Sequence, residues 1–364
     1  MSNGTSIKNI RIRTRAIYLT PSSTPNRGGM RYILSIINQC NFDERKIIYI
    51  DSTSVFSWIK NVLKYLRENV SQNELNIVFI RGAPVLDSIG PILFKLFFNR
   101  NIKLIAPLFH LNPLSPSKNR YDKSTIIFSF MQRIGAFLEI LFADIFLTEN
   151  TYISKYIRKF RKNAKVVVKQ LGITKNYIPN IEQILTADKD IDFLYVGGLD
   201  KSKGVEDILR AFKPISKDHS LIIAGYGSKD WLERLINRKY NLENVSIYTN
   251  ISEEEKFKLY LRSKVYVFPS VADGIPITFH EAWAYGNLIV TYMLPTYIDI
   301  KDRIFSVPQL NIEKLREKMV YVLSNYDKYK ELIVSNYWYA VKNSNSPENV
   351  QEICDKIYRY LNIS

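Results

Sequence analysis

The sequence predicts an α/β protein built from two domains with parallel sheets. Its 364 residues and 46% apolar content exceed what one core usually holds, since single cores rarely grow beyond ~250 residues. Short β-branched runs alternate with longer helical patterns, which is typical of βαβ units. This alternation occurs twice, on either side of an aperiodic stretch that contains Gly172 and Pro179. We therefore expect a linker over residues 172–190.

The strands are predicted from short runs of Val, Ile, Leu, Phe and Tyr that end in Gly, Pro or polar residues. In the first half these runs cover residues 16–20, 47–50, 77–80, 103–106, 144–147 and 166–169. In the second half they cover residues 192–196, 220–224, 245–248, 265–268 and 288–291. Helices of about ten residues or more fit between most of them, which indicates parallel pairing.

The chain after Pro308 has a helical pattern to its end. Ser346 followed by Pro347 is a typical helix start. The apolar residues Val350, Ile353 and Ile357 then recur at helical spacing. We expect this last helix to cover an apolar surface elsewhere in the molecule.

The sequence offers little sign of a secreted, disulfide-rich or membrane-spanning protein. Cys40 and Cys354 stand far apart without a His cluster, so we expect two packing residues rather than a disulfide framework or a zinc site. The most apolar stretch, 124–147, contains Arg133, Glu139 and Asp144. No signal-peptide pattern is present at the start. We expect a cytoplasmic protein that could contact the inner membrane face.

The net charge of +16 is concentrated in the first half of the chain. Residues 1–180 hold 27 Lys and Arg against 10 Asp and Glu, whereas residues 181–364 hold 24 against 25. Part of the excess lies between Lys155 and Lys165. This run is either a solvated helix face or a contact with an anionic membrane or acceptor. A nucleic-acid-binding protein would explain the charge but not the motifs of the second half, so we expect no nucleic-acid partner.

Several candidate residues directly follow strands, where ligands of open parallel sheets bind. Gly28 and Gly29 follow the first strand and precede a helix, as a phosphate-binding loop requires, although a tight turn explains them nearly as well. His110 follows the fourth strand, where a surface histidine is the simpler interpretation. Lys203 precedes a helix start and could bind a phosphate or remain exposed. Gly225 follows a further strand in a similar arrangement.

The most specific pattern lies over residues 265–290. A strand is followed by a turn with Asp273, then by a helix with Glu281, and finally by another strand. Glu281 stands among apolar residues, and a buried carboxylate is costly unless it meets a ligand hydroxyl or a cation. Carboxylates accept hydrogen bonds from the paired hydroxyls of sugars. The two acids are thus candidates for holding two sugar rings.

The string P-S-x(2)-D-G-x(6)-E-A-x-A-x-G, from Pro269 to Gly286, resembles the donor-site motif of the retaining GT-B glycosyltransferases often called family 4. The resemblance is clearest over residues 192–290 and extends in weaker form over nearly the whole chain. It implies two Rossmann-like domains facing a cleft, with an acceptor domain over 1–175 and a nucleotide-sugar domain over 190–345. It also implies that a C-terminal helix, 346–364, crosses back to the first domain.

The resemblance implies retaining transfer of a sugar from a nucleoside diphosphate sugar to a sugar or lipid-linked acceptor, with no cofactor and no obligatory metal. By this resemblance, Asp273 would contact the donor sugar and Glu281 would bind the ribose of the nucleotide. Lys203 would bind the diphosphate. His110 would lie near the sugar. The implied catalytic residues are His110, Lys203 and Asp273. The implied donor-binding residues are Gly28, Gly29, Gly198, Lys203, Gly225, Asp273, Gly274, Ile275 and Glu281.

Two positions depart from the family pattern. Asp273 stands where the family usually has Glu, and Gly198 stands where it usually has Arg. Arg27, Arg31 or Lys201 could supply the missing charge, the enzyme could be slow, or the chain could be a non-catalytic relative that binds a partner. The acids Asp188, Asp190 and Asp192 precede a strand, so we interpret them as solvated linker charge rather than metal ligands.

Overall fold

The computed structural model describes residues 13–21, 28–50, 54–81, 85–99, 101–112, 123–199, 203–227 and 229–363. These residues form two six-stranded sheets, ordered β2-β1-β3-β4-β5-β6 and β12-β11-β10-β7-β8-β9. Every pairing within them is parallel. The predicted α/β fold with two Rossmann-like domains is therefore confirmed.

The first domain alternates strands with helices from its beginning. Its strands are β1 (Thr14–Pro21), β2 (Glu44–Ile50), β3 (Leu75–Phe79), β4 (Lys103–Pro107), β5 (Ile145–Thr148) and β6 (Lys165–Val168). Its helices are α1 (Gly28–Gln39), α2 (Val55–Asn69), α3 (Val85–Phe97), α4 (Lys123–Phe142) and α5 (Thr151–Phe160). The central strands are almost wholly buried because helices cover both faces of the sheet.

The second domain repeats this alternation and ends in helices. Its strands are β7 (Ile191–Gly198), β8 (Leu221–Tyr226), β9 (Val245–Thr249), β10 (Ser263–Phe268), β11 (Leu288–Tyr292) and β12 (Phe305–Val307). Its helices are α7 (Val205–Phe212), α8 (Asp230–Arg234), α9 (Glu253–Arg262), α10 (Ile277–Ala284), α11 (Ile312–Ser324) and α12 (Lys330–Lys342). Helix α6 (Ile181–Thr186) precedes β7, and α13 (Pro347–Leu361) ends the chain.

All eleven predicted strands are present, with ends shifted by at most three residues. The twelfth strand, β12, was not predicted because three residues with one serine carry no periodic signal. The expected linker also contains the unexpected helix α6, which Asn180 begins with a capping box. The boundaries of the two domains at residues 175 and 190 remain predictions.

The last helix packs on the first domain, as predicted. Ser346 accepts a hydrogen bond from the backbone N–H of Asn349 and so caps α13. Its apolar residues join the core formed with α1 and the first sheet. The prediction that Cys40 and Cys354 are unbonded is wrong, because they form a disulfide between the end of α1 and α13. The two cysteines are 314 residues apart in the sequence. They meet only because α13 packs back against α1 in the folded protein.

The apolar stretch 124–147 forms helix α4 and strand β5. Over the described residues, no helix has both the length and the apolar character needed to cross a membrane.

Candidate active site

The candidate site lies between the two sheets, at the carboxyl ends of β4 and β5 on one side and of β7 and β10 on the other. The loop after β10 carries Asp273 and leads into α10, which carries Glu281. The hydroxyl of Thr296 donates to the backbone oxygen of Asp273 at 2.7 Å and so holds this loop. The predicted turn, acid, helix and second acid are thus present in the predicted order.

Lys203 contacts Asp273 directly. Its ammonium nitrogen lies 2.7 Å from the carboxylate of Asp273, and both side chains are largely buried. Gly204 makes this approach possible, because it has a φ of 83° and a Cβ there would lie 2.2 Å from the backbone oxygen of Pro269. Helix α7 therefore begins against the loop after β10. An anion at this helix start would meet both Lys203 and the backbone N–H groups of the first turn.

His110 of the first domain belongs to the same cluster. Burial is the main cause that lowers the pKa of its imidazole, and the nearby charges of Asp273 and Lys203 act on it with opposite signs. The side chain of Gln132 on α4 accepts from the backbone N–H of Asn112 at 2.8 Å and donates to the backbone oxygen of His110. The three residues predicted to be catalytic, one from the first domain and two from the second, therefore lie together.

Glu281 lies at the cleft but already has partners. It accepts from the ammonium of Lys256 at 2.8 Å and from the hydroxyl of Tyr260 at 3.2 Å. Its side chain is only 4% exposed, so the cation that a buried carboxylate requires is Lys256. Sequence reasoning did not identify Lys256, which lies on α9, 25 residues earlier in the chain.

Arg31, one of the proposed charge substitutes, also lies at the cleft. Its guanidinium is 3.6 Å from Glu253, which in turn pairs with Lys256. Arg31 and Glu281 both line a small cavity in the cleft, hereafter the cleft cavity. The other lining residues are Tyr32, Leu171, Gly172, Thr174, Tyr177, Glu253, Phe257, Ile277 and Asn345. The other two proposed substitutes, Arg27 and Lys201, fall outside the described residues.

The predicted glycines have different surroundings. Gly28 begins α1, and a Cβ at Gly29 would lie 3.3 Å from the ring of Phe109, next to His110. Gly198 is the last residue of β7 and pairs with β8. A Cβ at Gly225 would lie 1.7 Å from the backbone oxygen of Gly197. Close strand approach therefore explains Gly225 without a ligand, whereas Gly29 lies at the cluster itself.

Glu149, at the end of β5, is a site residue that sequence reasoning missed. It accepts from the backbone N–H of Ile275, across the cleft, and burial together with the charge of Asp273 raises its pKa to about 8. A Cβ at Gly274 would lie 3.1 Å from its carboxyl oxygen. The available signal was an acid directly after a buried strand, the same rule that identified His110.

The raised pKa of Glu149 predicts a dependence of stability on pH. The folded protein retains the proton up to pH of about 8, whereas the unfolded chain releases it near 4.5. The stabilisation is therefore complete below about pH 4.5 and is lost as the pH rises through 8. We expect Glu149→Gln to flatten the fall in unfolding free energy over this range and to be the more stable form above pH 8.

Urea unfolding of both proteins at several pH values measures this effect. Glu331→Gln, which changes an exposed carboxyl on α12, is the matched control and should leave the profile unchanged. Parallel profiles for wild type and Glu149→Gln would show that Glu149 is not protonated in the folded state.

The acids before β7 have ordinary protein partners. Asp190 pairs with Arg262, and Asp192 accepts from the backbone N–H of Ser220. Across the part of the chain that is described, no three His, Cys, Asp or Glu side chains gather as metal ligands.

Comparison with known proteins identifies relatives of this chain. Residues 178–337 match the model of the family described as glycosyl transferases group 1. An uncharacterised glycosyltransferase of Haemophilus influenzae is 24% identical over 80% of this chain and 79% of its own length. One of Methanocaldococcus jannaschii is 26% identical over 57% of this chain, and the match spans 56% of that relative.

Solved structures share the fold over nearly the whole chain. Sucrose-phosphate synthase from Thermosynechococcus elongatus has a TM-score of 0.75 at 15% identity, covering 96% of this chain and 99% of its own. HepE of Anabaena in complex with UDP-glucose has a TM-score of 0.71 at 12% identity, covering 95% and 99%. Residues 178–337 of this chain are therefore similar to the glycosyl transferases of group 1, and the chain as a whole shares the GT-B architecture of these solved structures.

Proposed function

We propose that this protein transfers a sugar from a nucleoside diphosphate sugar to a sugar or lipid-linked acceptor, with retention at the anomeric carbon. One observation carries the proposal. Lys203 and Asp273 of the second domain meet His110 of the first domain at the carboxyl ends of their strands. A cation, an acid and an imidazole in a partly buried cleft suit the departure of a charged phosphate.

In the proposed reaction, Lys203 and the start of α7 stabilise the departing diphosphate. Lys203 now pairs with Asp273 at 2.7 Å, so the bound diphosphate would share or replace that carboxylate as its partner. The bond between the anomeric carbon and the phosphate oxygen breaks, and a bond to the acceptor oxygen forms on the same face. The proton of the acceptor hydroxyl passes to the departing phosphate.

The remaining residues would bind and orient the donor. The ribose hydroxyls would donate to Glu281, which lines the cleft cavity beside Arg31. The backbone N–H groups of Gly274 and Ile275 would face the sugar. Without the donor, the N–H of Ile275 donates a hydrogen bond to Glu149. Gly28 and Gly29 would close over the diphosphate from the first domain. Holding both substrates in this cleft supplies orientation and excludes water.

The roles of the two domains are part of the same proposal. We propose that residues 1–175, with the helix 346–364, bind the acceptor and that residues 190–345 bind the donor. No cofactor or metal takes part in the proposed transfer, since Lys203 and helix starts supply the positive charge. Activity should therefore survive treatment with EDTA.

The proposal is tested by incubating the purified protein with radiolabelled nucleoside diphosphate sugars and measuring transfer or donor hydrolysis. UDP-glucose is the first donor to use, because HepE binds it. Turnover with any donor, lost in Asp273→Ala, supports the proposal. Binding of donors without turnover would instead indicate a non-catalytic relative. The two departures from the family pattern, Gly198 in place of Arg and Asp273 in place of Glu, would be consistent with that outcome.

A further inference from the structure

Helix α4 carries a stripe of large apolar side chains that are exposed in the described part of the structure. Large apolar side chains with exposed fractions from 37% to 64% recur along its length. They occupy positions three or four residues apart, which places them on one side of the helix. They are Ile127, Phe130, Ile134, Phe137 and Leu141.

The buried side of the same helix places Ala136 and Ile140 in the core but also buries three polar side chains. Ser129, Gln132 and Glu139 are all at most 5% exposed. Glu139 accepts from the hydroxyl of Ser88 at 2.6 Å, and Gln132 bonds the backbone near His110. A surface helix normally buries its apolar side and exposes its polar side. Helix α4 departs from this pattern because its exposed side is apolar along its length, which indicates a second apolar environment outside the protein.

The apolar stripe continues onto α5. The ring of Phe160 lies edge-on to that of Phe137, with centroids 6.2 Å apart, and Tyr156 contacts Phe160 in turn. Arg161, directly after α5, donates to backbone oxygens at the end of α4. The exposed sides of α4 and α5 therefore form one fixed surface, hereafter the α4–α5 face.

The α4–α5 face carries positive charge and almost no exposed negative charge. Lys155, Arg158, Lys159 and Lys162 are all exposed. Within residues 126–165, the acids are Glu139, which is buried, Asp144, which bonds Lys95 at 2.6 Å, and Glu149, which faces the cleft. From the second domain, the exposed Asp299 bonds Thr151 at the start of α5. An apolar stripe beside free cations fits the interface of an anionic bilayer, where acyl chains and phosphates lie side by side.

We propose that the α4–α5 face docks on an anionic membrane surface. The Phe, Ile and Leu side chains of α4 enter the boundary between headgroups and acyl chains, and the cations of α5 contact lipid phosphates. A second copy of the chain fits this face poorly, because pairing it with itself would bring the two sets of cations together.

Docking in this orientation has a consequence for the acceptor, which rests on the proposed function. The side chains of Gln132 and Arg133 on α4 bond the backbone of Asn112, two residues after His110. The helix at the membrane therefore holds the loop that carries His110. We infer that the acceptor is an amphiphile presented at the bilayer surface rather than a free sugar.

The test is flotation of the full chain with vesicles of phosphatidylcholine, with and without phosphatidylglycerol. We expect binding to the anionic vesicles only. The double substitution Phe130→Ser and Phe137→Ser should weaken it by at least about tenfold. Reversal of Lys155, Arg158 and Lys159 to Glu should weaken it by about a hundredfold or more at low salt. Trp338→Ser, which removes an exposed aromatic from α12, should have no effect.

Thermal unfolding and light scattering complete the test. The Phe130→Ser and Phe137→Ser protein should keep the wild-type unfolding temperature, because both side chains are exposed, and should still hydrolyse the donor without vesicles. Absence of vesicle binding, or binding that survives both sets of substitutions, would overturn the proposal. A wild-type oligomer that dissociates in the double variant would assign the face to self-association instead.

Discussion

Replacing Lys203 by alanine is expected to lower the rate constant of sugar transfer by about 10²- to 10³-fold. Lys203 is the only described cation that bonds the carboxylate of Asp273, at the start of α7 where we place the diphosphate. The positive charge of Lys203 is most stabilising in the transition state, where negative charge develops on the departing phosphate. The effect should therefore fall mainly on kcat, with a smaller change in KM for the donor.

Initial-rate kinetics with the best donor measure this effect. Lys258→Ala is the matched control, since Lys258 forms an exposed pair with Glu254 on the surface of α9, and such pairs contribute little. We expect it to behave as wild type. If Lys203→Ala kept a kcat close to that of wild type, Lys203 would not stabilise the leaving group.

Replacing Glu281 by alanine is expected to lower the free energy of unfolding by about 3 kcal/mol and to abolish stabilisation by nucleotide. The substitution leaves Lys256 buried, with Glu253 at 3.0 Å as its remaining partner. Because Glu253 still pairs with Lys256, we expect a loss of unfolding free energy at the lower end of the range for breaking a buried ion pair. Loss of nucleotide stabilisation follows because the ribose loses its carboxylate.

Lys256→Met separates the two effects. It breaks the same pair, whose atoms are 2.8 Å apart, but keeps the carboxylate of Glu281. We expect a similar loss of stability, measured by urea unfolding, while UDP still raises the unfolding temperature. If UDP stabilised Glu281→Ala as strongly as wild type, the assignment of the ribose to Glu281 would be wrong.

The fold could be predicted because its strands are short buried runs that local sequence reveals. Strand β10, found at 263–268 against a prediction of 265–268, shows how closely the apolar run marks the element. Strand β12 was missed because three residues carry no period. The disulfide between Cys40 and Cys354 was missed because it depends on where α13 returns, which is a property of tertiary packing.

The candidate site could be predicted only in part. Asp273, Glu281 and Lys203 were found because loops and helix starts after strands follow a general rule. The partner of Glu281 was not found, because Lys256 meets it through packing of α9 on α10 rather than through sequence spacing. Glu149 was missed although it directly follows a buried strand, and only its contact with Ile275 of the opposite domain is beyond the reach of local sequence.

The central claim is that the cleft beside Lys203, Asp273 and Glu281 binds a nucleoside diphosphate sugar. A crystal structure of the protein with UDP bound tests it most directly. We predict a diphosphate oxygen within hydrogen-bond distance of the ammonium of Lys203 and the ribose hydroxyls beside the carboxylate of Glu281. A nucleotide bound outside this cleft, or one whose diphosphate points away from Lys203, would contradict the claim.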